Sequence, residues 1–148
     1  MGEPDFAWDQ LYKALPITHK SLSTTPFIMS NSYSYNEEYG LDGESMSDWF
    51  TGSANVLIKV LARCVFGINP DLGGVTICPA KGMGSKNSKI KIKVKGATLN
   101  VTCACRGNAP HRFFVNGAEV KPEYDEILRT EKIYIPSDKL TGNIEKVE

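Results

Sequence analysis

No stretch of this 148-residue sequence is apolar for long enough to cross a bilayer. A spanning helix needs about 20 apolar residues. The uncharged apolar runs here stop after a few, as in Val56-Leu57-Ile58 before Lys59. The first residues, MGEPDFAWDQ, lack the basic start and apolar stretch of a secretory signal. These absences predict a soluble, cytoplasmic protein with no membrane partner. Disorder is also disfavoured, because hydrophobic residues make up 41% and charged residues 23%, which is ordinary globular usage. At about 150 residues per domain, the length fits one domain or a piece of a larger protein.

Nucleotide and metal signatures are missing too. The glycines of KGMGSK match neither G-x-G-x-x-G nor a P-loop. Cysteine is scarce, with Cys64, Cys78, Cys103 and Cys105 alone, and only Cys103 and Cys105 lie close together. A structural zinc site wants paired clusters of Cys or His. The four are therefore expected to be reduced, buried structural thiols, with no metal and no cofactor.

Acidic residues are absent from Leu72 to Ala118, a span with eight Lys or Arg, although the whole chain is neutral. Before it stand nine acids and four bases; after it, eight acids and five bases. A block of this kind suits nucleic acid or another polyanion. However, Lys89, Lys91, Lys93 and Lys95 alternate with Ile90, Ile92 and Val94. That period of two puts lysines on one face of a strand and aliphatics on the other. No aromatic platform interrupts it, so the lysines read as a solvated face that discourages edge pairing, and nucleic acid is not an expected partner.

The texture changes near residue 70, which divides the chain into expected domains 1–70 and 71–148. Glu3 to Leu15 reads as an amphipathic helix: Pro4 is early, acids fill the first turn, and Ala7/Trp8, Leu11/Tyr12 and Leu15 recur at helical spacing before Pro16 stops it. Residues 17–44 read as a long irregular stretch rich in Ser, Thr, Asn, Tyr and Gly. Its aromatics (Phe27, Tyr33, Tyr35, Tyr39) argue for an ordered, functional loop. A second helix, Ala54 to Phe66, is apolar except for a stripe of Asn55, Lys59 and Arg63, and Gly67 supplies its stop. A helix so apolar is expected to be buried on most sides. This half of the chain has too few partners for it, which is a first sign of a fragment.

Beyond Pro70 the chain is predicted to be strands, at 74–79, 89–95, 98–105, 111–115, 118–120 and 132–135. Asn116-Gly117 supplies a two-residue hairpin turn. A few helices followed by many short strands make an α+β layout ending in an antiparallel, jelly-roll-like β-sandwich.

Chemistry concentrates where the second helix begins, at Thr51-Gly52-Ser53. Helix starts carry unpaired N–H groups and the positive end of the macrodipole, and Gly52 lets an anion approach the main chain. The triplet is therefore either a plain helix cap or an oxyanion or phosphate site.

GEPDFAWDQLYKALPITH, TTPFIMSNSYSYNEEYG and SMSDWFTGSANVLIKVLARCVFGINPDLGGVTICPA resemble the C-terminal part of inverting β-glycoside phosphorylases of glycoside hydrolase family 94. The specific segments are W-F-T-G-S-A, F-G-I-N-P-D and G-V-T-I-C-P-A. The likeness covers residues 2–80, and beyond them agrees only in β character. It implies the last helices of an (α/α)6 barrel running into a β-sandwich. It also implies phosphate contact at Thr51 and Gly52, with inorganic phosphate as co-substrate, not as a cofactor. The implied reaction cleaves a β-linked glucan or disaccharide with phosphate, giving an α-sugar 1-phosphate with inversion.

The family's general-acid aspartate and its phosphate-binding arginines and histidine match no position here, so no catalytic residue is assigned. The upstream barrel of the same enzyme is the expected partner, and an exposed barrel-facing patch would favour oligomers. Asp48 stands beside Trp49, outside the general-acid position, and reads as a helix-start residue. His19 reads as a loop residue, and His111 has no catalytic partner at readable spacing. Tyr33, Tyr35 and Tyr39 stand either as sugar-contacting residues, since aromatic faces pack on pyranose rings, or as ordinary loop packing. A stand-alone carbohydrate-binding or structural β-domain without catalysis is the alternative function.

Overall fold

The computed structural model of the chain describes residues 4–19, 28–47, 51–79, 87–104, 112–127, 129–140 and 143–147. Among the described residues, strands hold 47% and helices 23%, so the fold is mixed and β-rich, with mainly antiparallel sheets. It divides into two compact units, Phe6–Lys59 and Val60–Glu148, the latter taking in the first residues as well.

In the unit of residues 6–59, helix α1 (Pro4–Lys13) starts at its proline and closes with a Lys13–Asp9 ion pair one turn apart. A short 3-10 turn, Pro16–Thr18, follows the predicted stop. The irregular loop expected over 17–44 is instead partly a hairpin of β1 (Ser32–Asn36) and β2 (Leu41–Met46). Neither strand has apolar alternation, and their ladder is held by the backbone around a turn with Gly40 at φ 66°. Gly43, at φ 82°, makes a β-bulge opposite the Ser34/Tyr35 step. Helix α2 (Ser53–Val60) passes into a π-helical turn, Leu61–Val65.

The expectation that Ala54–Phe66 is buried holds only at its far end, where Ala62 and Phe66 are buried, and not over α2 itself. No residue of α2 is buried, and Val56 and Ile58 are 59% and 63% exposed. Its apolar character comes from composition on every side, and the described residues supply no surface to cover it.

In the larger unit, β3 (Ile68–Pro70), β4 (Gly74–Ile77), β9 (Glu123–Asp125) and β10 (Thr130–Pro136) form one sheet, ordered β3-β4-β10-β9. The other contains β5 (Asn87–Val94), β6 (Ala97–Ala104), β7 (Phe113–Val115), β8 (Ala118–Val120) and β11 (Asn143–Val147), ordered β5-β6-β11-β7-β8. Within it, β11 runs parallel to β6, a departure from the all-antiparallel expectation. Both sheets supply one hydrophobic cluster, including Ile68, Val75 and Ile77 from the first and Leu99, Val101 and Phe113 from the second. The predicted lysine face is present: Lys89, Lys91 and Lys93 are exposed on edge strand β5, while Ile90 and Ile92 pack against the core. Lys95 has left the strand and sits in the β5–β6 turn at φ 50°.

The segment from Gly67 to Gly74 shows what its motif does locally. Gly67 (φ 67°) stops the helix, and a Cβ there would strike the Cys78 carbonyl. Asn69 Nδ2 donates to Arg63 O at 3.2 Å and Gly67 O at 3.1 Å. Asp71 Oδ1 accepts the N–H groups of Gly73 and Gly74, both at 2.7 Å. The thiols depart from their expected burial: Cys64 is exposed, and Cys78 and Cys103 are only half-buried. Cys64 stands next to Arg63, on the solvent side of the π turn, which is why it escapes the core. Cys105 lies outside the described residues.

Candidate functional site

The start of α2 is built by its own side chains. Gly52 O accepts the first helical N–H, from Val56, at 3.1 Å. Thr51 Oγ1 accepts the Ser53 N–H at 3.0 Å and shares a hydrogen bond with Ser53 Oγ at 2.8 Å. It also reaches Ser30 O, on the segment leading into β1, at 3.4 Å. A hydroxyl two residues before a helical N–H favours this turn locally. Gly52 is exposed, and a Cβ added there would meet nothing within 4 Å. Thr51 thus holds the helix start, while the main chain at Gly52 stays open. Asp48, Trp49 and Phe50 lie outside the described residues.

Ser30 had no signal in the sequence beyond being one serine among many. Among the described residues it is the one buried polar side chain, 3% exposed, and its Oγ has no hydrogen-bond partner. Its segment is fixed by the Asn31 N–H donating to Met46 O at 3.2 Å, at the base of the hairpin.

The three tyrosines do not act together. Tyr33 stacks on the His19 ring, with centroids 4.2 Å apart, and donates its hydroxyl to Ala14 O at 3.3 Å. Tyr35 and Tyr39 are 73% and 74% exposed, on β1 and in the hairpin turn. His19, expected as a loop residue, is wedged in a cluster. Its Nε2 donates to Lys13 O at 2.8 Å, and its Nδ1 faces Asp42 Oδ1 at 3.9 Å. With Nε2 and the ring face engaged, it is a structural plug between the end of α1 and the hairpin. His111 lies outside the described residues.

No group of His, Cys, Asp or Glu among the described residues has the arrangement to hold a metal. No helix of the described residues is long and apolar enough to cross a membrane. Perturbed ionisations fall in the larger unit. Burial raises the Cys103 thiol to about 11. The hydrogen bond from Arg112, with Nε at 2.9 Å, holds the Glu119 carboxyl below its ordinary value. That pair spans the β7–β8 hairpin at the surface, a structural role. No protein-family model and no curated protein matches the sequence.

Proposed function

We propose that the chain is the C-terminal portion of an inverting β-glycoside phosphorylase, in which Thr51 and Gly52 form one side of the phosphate site. The observation that carries this reading is the start of α2. There, hydroxyls at Thr51 and Ser53 flank a glycine with open space over it. Unpaired N–H groups and the positive macrodipole end favour an oxyanion at such a place. Support also comes from the exposed apolar side chains of α2, which suit a helix seated among other barrel helices. The finer architecture, an (α/α)6 barrel followed by a jelly-roll-like sandwich, belongs to the same proposal.

In this reaction a phosphate oxygen attacks the anomeric carbon of a β-linked glucan or disaccharide. The bond to the glycosidic oxygen breaks, and a carboxylic acid from the upstream barrel protonates that oxygen. Attack from the opposite face inverts the centre, so phosphate takes the place of the water used by inverting hydrolases. This chain contributes neither the proton donor nor the cationic groups that press phosphate against the sugar. Its part is to bind and orient the anion.

The test is expression together with the reading frame preceding Met1, followed by assay of α-sugar 1-phosphate from phosphate and cello-, laminari- or 1,2-β-oligosaccharides. Thr51→Ala should raise the phosphate requirement about 10- to 150-fold, the equivalent of one hydrogen bond to a charged group. The requirement for sugar should barely move. Unchanged phosphate kinetics would refute the assignment. A carbohydrate-binding β-domain acting alone is the second reading, favoured by the separate core of Val60–Glu148. Calorimetric titration of that unit with the same sugars decides it.

A further inference from the structure

We infer that Ser30 is a third hydroxyl of the anion site at the start of α2, acting with Thr51 and Ser53 on one tetrahedral oxyanion; this rests on the proposed phosphate site. Ser30 is 3% exposed and its Oγ is unpartnered. A buried hydroxyl without a partner is a standing cost to the fold that an alanine would avoid. Its place in the fold is specific, since its own carbonyl contacts Thr51 Oγ1 at 3.4 Å and the next residue is tied to Met46 at the hairpin base. The orphaned hydroxyl therefore belongs to a residue touching the side chain already assigned to phosphate.

Proton counting favours an anion. Thr51 and Ser53 bring two hydroxyl protons, and their mutual 2.8 Å hydrogen bond uses one. That bond runs from Thr51 to Ser53, so the Ser53 proton is left over. Ser30 O, 3.4 Å from Thr51 Oγ1, is at most a weak second acceptor that a charged one would readily replace. Ser30 adds a proton with no acceptor at all. Phosphate and sulfate are acceptors rich in lone pairs, complementary to that surplus of donors. A cation would also find oxygens here, but the positive end of α2 opposes it. Gly52 completes the arrangement by leaving the main chain open beside the hydroxyls.

The experiment titrates inorganic phosphate, against chloride at matched ionic strength, into the 148-residue chain and follows the Gly52 and Ser53 amides by ¹⁵N–¹H NMR. The native chain should show a saturable, phosphate-specific shift. Ser30→Ala should weaken binding about tenfold or more while raising the thermal midpoint by a few degrees, because the same hydroxyl burdens the empty fold. Ser30→Cys, of similar volume and weaker donor strength, should lose affinity in the same direction and covers a failure of the alanine variant to fold. If Ser30→Ala binds phosphate normally while Thr51→Val does not, Ser30 is excluded and the phosphate site stands. If the native chain shows no saturable shift, the Ser30 assignment is overturned, while the phosphate site itself is judged by the Thr51→Ala kinetics of the enzyme expressed with its upstream frame.

Discussion

At the scale of single residues, Gly43 is the position with least freedom in the smaller unit. It adopts φ 82°, and a Cβ would strike the His19 side chain at its Cβ and Cγ. Gly40, at φ 66°, has open space instead. Gly43→Ala should therefore cost about 2–4 kcal/mol, combining backbone strain with displacement of the imidazole, and Gly40→Ala only about 1 kcal/mol. Urea unfolding of the two variants checks the difference; equal losses would mean His19 is not packed there. A second prediction concerns Cys103, whose thiol is raised to about 11 by burial. Few thiolates form at pH 8, so it should alkylate roughly tenfold or more slowly than exposed Cys64. The folded state keeps a proton that the unfolded chain releases near 9.0, so stability should fall as pH rises from 9.0 towards 11. Mass spectrometry of timed alkylation and unfolding at both pH values test this. Little of this detail was legible beforehand. His19, Tyr33 and Gly43 are brought together by the hairpin, and a sequence does not announce a contact between residues so far apart. Ser30 was hidden for the same reason, because burial is a property of its neighbours.

At the scale of elements, legibility followed the strength of local signals. The Asn116-Gly117 turn was readable because both residues must take positive φ, and they do, at 51° and 82°. The Lys/Ile alternation located β5, since a half-buried strand imposes a period of two. β3 and β9, three residues each, are too short to carry a period, and β1 and β2 have polar residues on both faces. β11 pairs in parallel with β6, a long-range choice that no local turn dictates. Helix α2 gave the opposite lesson: its apolarity located the helix and its stop, yet its burial depends on a partner. From that exposure comes a prediction for Val56→Lys/Ile58→Lys. Being 59% and 63% exposed, these positions should tolerate lysine with stability changed by no more than about 0.5 kcal/mol each. Concentration-dependent association, measured by sedimentation, should fall at the same time. A large loss of stability would instead place α2 inside a fold.

At the scale of the whole molecule, apolar burial is shared unequally between the two units. Every member of the hydrophobic cluster, from Phe66 to Leu140, belongs to Val60–Glu148. In Phe6–Lys59 the buried described residues are Pro16, Ser30 and Gly43, none a large hydrophobe, while Phe6, Tyr12 and Ile17 are exposed. Hydrogen bonds and the His19 cluster give that unit its geometry, but apolar burial is the term that chiefly resists opening. The β-rich half of the sequence reading was legible for this reason, because its core lies within the chain. The helical half was less so, because the sequence carries apolar surface without naming what covers it. Opening should therefore be staged. Limited digestion with chymotrypsin should cut first beside Tyr35 and Tyr39, which are 73% and 74% exposed around the hairpin turn. The fragment beginning near Val60 should persist, and on isolation should unfold cooperatively with β-type circular dichroism. Loss of both units at one rate would show that the smaller unit is as strongly held as the larger. Phosphate at high concentration adds a further arm: bound at the start of α2, it should slow the hairpin cuts by mass action and leave the larger fragment unaffected.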